Sequence, residues 1–141
     1  MTTKIYLPET EVSKYMLEKP YRRKLFEDFN FIYEGRAFTI KRGFWWDGAS
    51  IPRFFWRIAG SPMTGKYYLA ALVHDMFYAT HYFPRKQADT IFYDMMIHCG
   101  VGTVLAWTIY RAVRTGGWVG WNKDTNDIIK ANKYLIVNGI A

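Results

Sequence analysis

Lys66-Tyr67-Tyr68-Leu69-Ala70-Ala71-Leu72-Val73-His74-Asp75-Met76-Phe77-Tyr78-Ala79-Thr80-His81-Tyr82 is the stretch on which the fold turns. Leu69, Leu72, Val73, Met76 and Phe77 recur at the three-four spacing of a buried helix face. Pro84 ends the pattern, because it cannot continue a helix whose amide donors are already committed. Lys86 to Cys99 gives a second helix, stopped by Gly100. The short link between them predicts an antiparallel pair. Gly102 to Arg114 gives a third helix, ending at Gly116-Gly117, and Asp124 to Asn138 a fourth.

Upstream of this helical half the pattern changes. Phe29-Asn30-Phe31-Ile32-Tyr33 and Arg36-Ala37-Phe38-Thr39-Ile40 are β-type runs flanking Glu34-Gly35, the spacing of a hairpin. Lys41 to Trp46 continues the extended segment. Asp47-Gly48-Ala49-Ser50-Ile51-Pro52 reads as a turn, and Pro52 to Ala59 as a short aromatic helix. There are no repeats, low-complexity tracts or linkers. The expectation is one α+β domain over residues 1–141, with a small N-terminal β-hairpin layer followed by a mainly helical part.

Composition bounds the function. Half of the 141 residues are hydrophobic and 19% are aromatic, enough for a real core and too many for a disordered chain. The net charge of +7 favours phosphate-bearing partners, an anionic phospholipid surface among them. The basic residues are scattered, and no stripe suited to a nucleic-acid groove stands out. A single cysteine, Cys99, excludes an intrachain disulfide and a Cys-based zinc site. The N-terminal residues lack a secretory signal pattern, and no apolar run reaches membrane-spanning length. The expectation is therefore a soluble protein that is not secreted by a signal peptide, with a peripheral membrane role open.

The candidate chemistry lies on the first two helices. His74, Tyr78 and His81 share a face, while Asp75 points about a quarter-turn away. Asp89 follows early on the second helix. It meets His74 only if the antiparallel helices are staggered, and there it would fix the imidazole tautomer and support its charged form. The alternative has His74 on a backbone carbonyl and Asp89 paired with Arg85 or Lys86. Other patterns fail. Gly60-x4-Gly65-Lys66 has Tyr67 where a phosphate loop needs Ser or Thr for magnesium. No histidine precedes His74, as a metal-dependent phosphohydrolase of the His-Asp type would require. Trp45, Trp46, Trp118 and Trp121 are core or a partner-binding patch.

Two resemblances rest on these residues. His74-Asp75-x-x-Tyr78 followed by Ala88-Asp89-x-x-Phe92 resembles the helix pair of phospholipase A2, in its parvoviral form most closely. That resemblance implies a general base at His74, a calcium ligand at Asp75, an orienting carboxylate at Asp89 and a supporting Tyr78. The upstream Gly60 to Gly65 segment has glycines, but not in the pattern of that family's calcium loop. Gly43-Phe44-x-x-Asp47-Gly48-Ala49-Ser50-Ile51-Pro52-Arg53, joined to the two helix motifs and Tyr110-x-Ala112-Val113-Arg114, resembles a family of uncharacterised bacteriophage and prophage proteins. It implies a phage origin and places Asp47 and Ser50 in one motif set with His74. The expectation is a phage-encoded, metal-assisted ester hydrolase acting on phospholipid, with calcium as cofactor, located in the cytoplasm of the infected bacterial host or associated with the virion. Its rival is a non-enzymatic virion, assembly or host-protein-binding component, in which the His/Asp cluster is structural.

Overall fold

The computed structural model describes residues 5–7, 15–19, 22–47, 51 and 67–140. The strands are β1 (Ile5–Tyr6), β2 (Tyr15–Lys19), β3 (Arg22–Leu25), β4 (Phe29–Tyr33), β5 (Arg36–Ile40) and β6 (Trp45–Trp46). The helices α1 (Tyr68–Thr80), α2 (Arg85–His98), α3 (Thr103–Gly116), α4 (Trp118–Trp121) and α5 (Thr125–Asn132) follow, and β7 (Leu135–Ile140) closes the order. The architecture is α+β, as the change of period along the chain predicts.

The hairpin forms where the sequence places it. Glu34 (φ 52°) and Gly35 (φ 73°) both take positive φ, the conformation of a two-residue turn whose twist matches the flanking strands. Phe29, Phe31 and Tyr33 alternate inward along β4. Phe31 and Phe38, paired across the strands, stack at 5.1 Å. Phe77 of α1 presents its edge to Phe38 at 5.5 Å, so one aromatic cluster joins sheet to helix.

Among the described residues two antiparallel sheets form. One has the order β1-β4-β5-β7 and the other β2-β3-β6. Helix α1 is the central element: ten of its thirteen residues are buried, because it packs against α2, α5 and β6 as well as the aromatic cluster. It ends at His81, whose left-handed φ of 53° turns the chain toward Pro84.

The expected helix from Asp124 to Asn138 is corrected. Asp124 is the cap, accepting the Asp127 N–H at 2.8 Å, and the helix stops at Asn132. Residues 135–140 instead form β7 on the open edge of β5, with Phe38 opposite Val137. A β-branched pair, Ile136-Val137, gains more from an unfilled sheet edge than from another helical turn. The turn at residues 48–50 and the expected helix from Pro52 to Ala59 lie outside the described residues.

Candidate functional site

Asp89 is the centre of the helical layer. His74 and Tyr78, one turn apart on α1, converge on its Oδ1: His74 Nε2 lies at 2.8 Å and the Tyr78 hydroxyl donates at 2.6 Å. Its other oxygen, Oδ2, accepts from Arg114 Nη1 at 2.7 Å, and Arg85 Nη1 stands 3.6 Å away. Three helices therefore meet on one carboxylate. Arg85 also donates to the Val113 and Arg114 carbonyls at the C-terminal end of α3, where a cation complements the helix dipole. The stagger that the pairing of His74 with Asp89 requires is thus realised.

The electrostatics follow from this packing. His74 and Asp89 are both 0% exposed. Burial pushes the His74 pKa below its ordinary value, outweighing the pull of the Asp89 carboxylate, so the imidazole is neutral at pH 7. A neutral ring facing a carboxylate carries its proton on Nε2 and donates it. Burial works to raise the pKa of Asp89, but the hydrogen bonds from His74, Tyr78 and Arg114 outweigh it and hold the carboxyl below its usual range. Tyr78 is pushed up, first by burial and then by its bond to Asp89. The imidazole is held between two rings, Phe92 stacked at 4.4 Å and Tyr78 tilted at 4.2 Å.

Asp75, next in sequence, faces elsewhere. It is half-buried and accepts the Asp47 backbone N–H at Oδ2, 3.2 Å away. Both residues line a cavity of about 380 Å³ between β6, α1 and the α4–α5 region. Lys123, Asp127 and Lys130 supply charge to the cavity wall, and Phe44, Trp45 and Tyr134 supply aromatic surface. Tyr78 also reaches the lining and connects the cavity with the Asp89 network.

The structure therefore divides the predicted residues into two groups. His74 and Asp89 are sealed together, Asp47 and Asp75 meet at the cavity, and Tyr78 belongs to both, bonded to Asp89 and reaching the cavity wall. Ser50 lies outside the described residues, as does the Gly60 to Gly65 segment. Among the described residues no three acidic, imidazole or thiol side chains are grouped closely enough to hold a metal ion. A calcium ion at Asp75 would need further oxygen donors from elsewhere, and one Asp75 oxygen already accepts an amide. No helix among the described residues is long and apolar enough to cross a membrane.

Some participants were missed by sequence reasoning. Arg114 stands in the Tyr110-x-Ala112-Val113-Arg114 pattern, which by itself gives it no role. Asp127, Lys130, Ala131 and Tyr134 follow one another at helical three-four spacing, a pattern that could have identified a second wall. Gly117 sits against the network: a Cβ there would lie 2.6 Å from the Tyr78 hydroxyl oxygen and 2.4 Å from the Val113 carbonyl oxygen.

These features define an α+β protein whose helices are joined through one buried carboxylate beside a cavity of mixed charge. Residues 23–113 match the model of a family described as a protein of unknown function (DUF1353), and the chain belongs to that family. An uncharacterised Sinorhizobium fredii protein, y4jT, is 37% identical over 112 residues, covering 75% of this chain and 33% of that protein. A second one from the same organism, y4iH, is 35% identical over 71 residues, covering 50% of this chain and 30% of that protein. The chain thus spans about a third of the length of the curated relatives it matches. No solved structure matches it.

Proposed function

We propose that this is a non-enzymatic binding protein, in which the Asp89 network is structural and the cavity beside it receives the ligand. The observation that carries this reading is the burial of His74. A general base must reach its water, and this imidazole is 0% exposed between two aromatic rings. The bonds to Asp89 are of the kind that fix helix register: a fully satisfied buried polar group admits one arrangement of α1, α2 and α3. A role as a virion, assembly or host-protein-binding component fits this reading, and the resemblance to phage and prophage proteins supports that setting.

A second reading, a metal-assisted phospholipid esterase, is favoured by one observation. A neutral His74 held through Nε2 by Asp89, with Asp75 next to it on a cavity wall, is the arrangement that the phospholipase A2 resemblance implies. The two readings separate in one assay. Purified protein is incubated with mixed anionic and zwitterionic phospholipid vesicles, with calcium and with chelator. The binding reading expects no fatty-acid release under either condition. Calcium-dependent release that disappears in a folded His74→Ala variant would establish the esterase instead.

A further inference from the structure

We propose that the outer face of α3 and α4 docks on an anionic phospholipid surface. This inference goes beyond the binding reading above and does not depend on it. Four apolar side chains stand out from the face: Val104 is 81% exposed, Trp107 53%, Trp118 56% and Val119 64%. The opposite face of α3, with Ala106, Ile109, Ala112 and Val113, is buried, so the helix is anchored in the core without them. Val104, Trp107, Arg111 and Trp118 follow one another at steps of three, four and seven, the spacing of one helix face.

Backbone geometry carries the row from one helix into the next. Gly117 has a helical φ of −68°, and its N–H bonds the Val113 carbonyl at 2.8 Å. The Trp121 N–H repeats the pattern on the Gly117 carbonyl at 3.0 Å. From Val104 to Val119 the row is then roughly 20 Å long at the helical rise. Trp107 is braced within it. Its indole stacks on Tyr110 at 5.2 Å and meets Tyr93 edge-on at 6.1 Å, so the ring is held at the surface.

Charge selects the occupant. Between Asp94 and Asp124 the sequence has no acidic residue and three basic ones, Arg111, Arg114 and Lys123. Asp89, the carboxylate that Arg114 meets, is buried and offers no negative charge to this surface. A second copy of the chain would set the basic run against itself, because a two-fold contact pairs a patch with the same patch. An anionic surface gains where self-association loses. The tryptophans favour a membrane among such surfaces, since an indole joins an apolar body to a polar N–H and settles at headgroup level. Hot spots for a protein partner cluster at the centre of a patch, whereas this row is long and one helix wide. Each exposed basic residue near an anionic leaflet strengthens binding roughly fivefold.

The test is co-sedimentation of the full chain with vesicles of phosphatidylcholine alone and of phosphatidylcholine mixed with phosphatidylglycerol, in chelator and at low salt. Trp107→Ala and Val104→Glu alter the face, and Ile129→Ala, an exposed apolar residue of α5, is the control. Circular dichroism verifies folding; should Trp107→Ala disturb its aromatic neighbours, the more exposed Val104→Glu still decides. The expected result is binding to the mixed vesicles at least about tenfold stronger than to the neutral ones. Each face variant weakens it at least about tenfold and Ile129→Ala leaves it unchanged. No binding to the mixed vesicles overturns the proposal, and so does equal binding to the neutral ones. Binding that both face variants leave intact also overturns it, by assigning the attraction to the net charge of the whole chain. A dimer in sedimentation velocity that Trp107→Ala dissolves, without vesicle binding, would give the face to a second copy. Equally tight binding to soluble polyglutamate would give it to an acidic protein.

Discussion

Arg114 Nη1 donates to Asp89 Oδ2 at 2.7 Å, so a carboxylate with no exposed surface is neutralised from a helix 25 residues further along the chain. Burying a lone carboxylate is costly, and this contact lets Asp89 stay ionised while accepting from His74 and Tyr78. Replacing Arg114 with Met removes the charge but keeps much of the stem packing. Arg85, 3.6 Å from the same oxygen, offsets part of the loss. The expected destabilisation is about 2 kcal/mol, read from the midpoint of urea unfolding. A change under about 0.5 kcal/mol would show that the ion pair adds little to the fold.

The network also sets how stability responds to acid. His74 has a folded pKa below its ordinary value, so the unfolded chain takes up that proton first as pH falls. Stability is then expected to decline from about pH 6.5 downward, until the folded imidazole also protonates. Asp89 has a lowered folded pKa and adds a second decline as pH falls below about 4. Urea midpoints measured from pH 8 to pH 3 test this against His74→Gln. The variant should lose the upper step and keep the lower one; an unchanged profile above pH 5 would contradict the neutral, buried imidazole.

Gly117 is constrained by its neighbours rather than by its backbone angle, which is ordinary at φ −68°. A methyl group there would press on the Tyr78 hydroxyl and the Val113 carbonyl oxygen. Gly117→Ala is expected to cost about 1–3 kcal/mol, in the range of overpacked sites. Pairing it with Tyr78→Phe, which removes the hydroxyl, should give a combined cost below the sum of the two. Additive costs would mean that the clash lies with the backbone alone.

Calcium offers a check on the resemblance to phospholipase A2. Asp75 Oδ2 accepts the Asp47 amide, and the described residues hold no cluster of three ligating side chains. Adding millimolar calcium is expected to leave the thermal midpoint unchanged. A rise that is lost in Asp75→Asn would show a bound ion, since a ligand specific to the native state stabilises it by mass action.

The local pattern of the sequence determined the α+β class, the hairpin at Glu34-Gly35 and the three main helices, because periodicity and turn residues act over a few positions. It also brought His74, Tyr78 and Asp89 into one motif set. Local pattern fails at the end of the described chain for the same reason: residues 133–138 have no decisive local preference, and the open edge of β5 selects the strand. Tertiary structure alone decided that His74 is sealed while Asp75 faces the cavity, a difference that arises from the rotation of α1 against β6, α2 and α5. It also brought Arg114 to Asp89 and α5 opposite Asp47, since contacts at such separations depend on how helices pack and not on any local spacing.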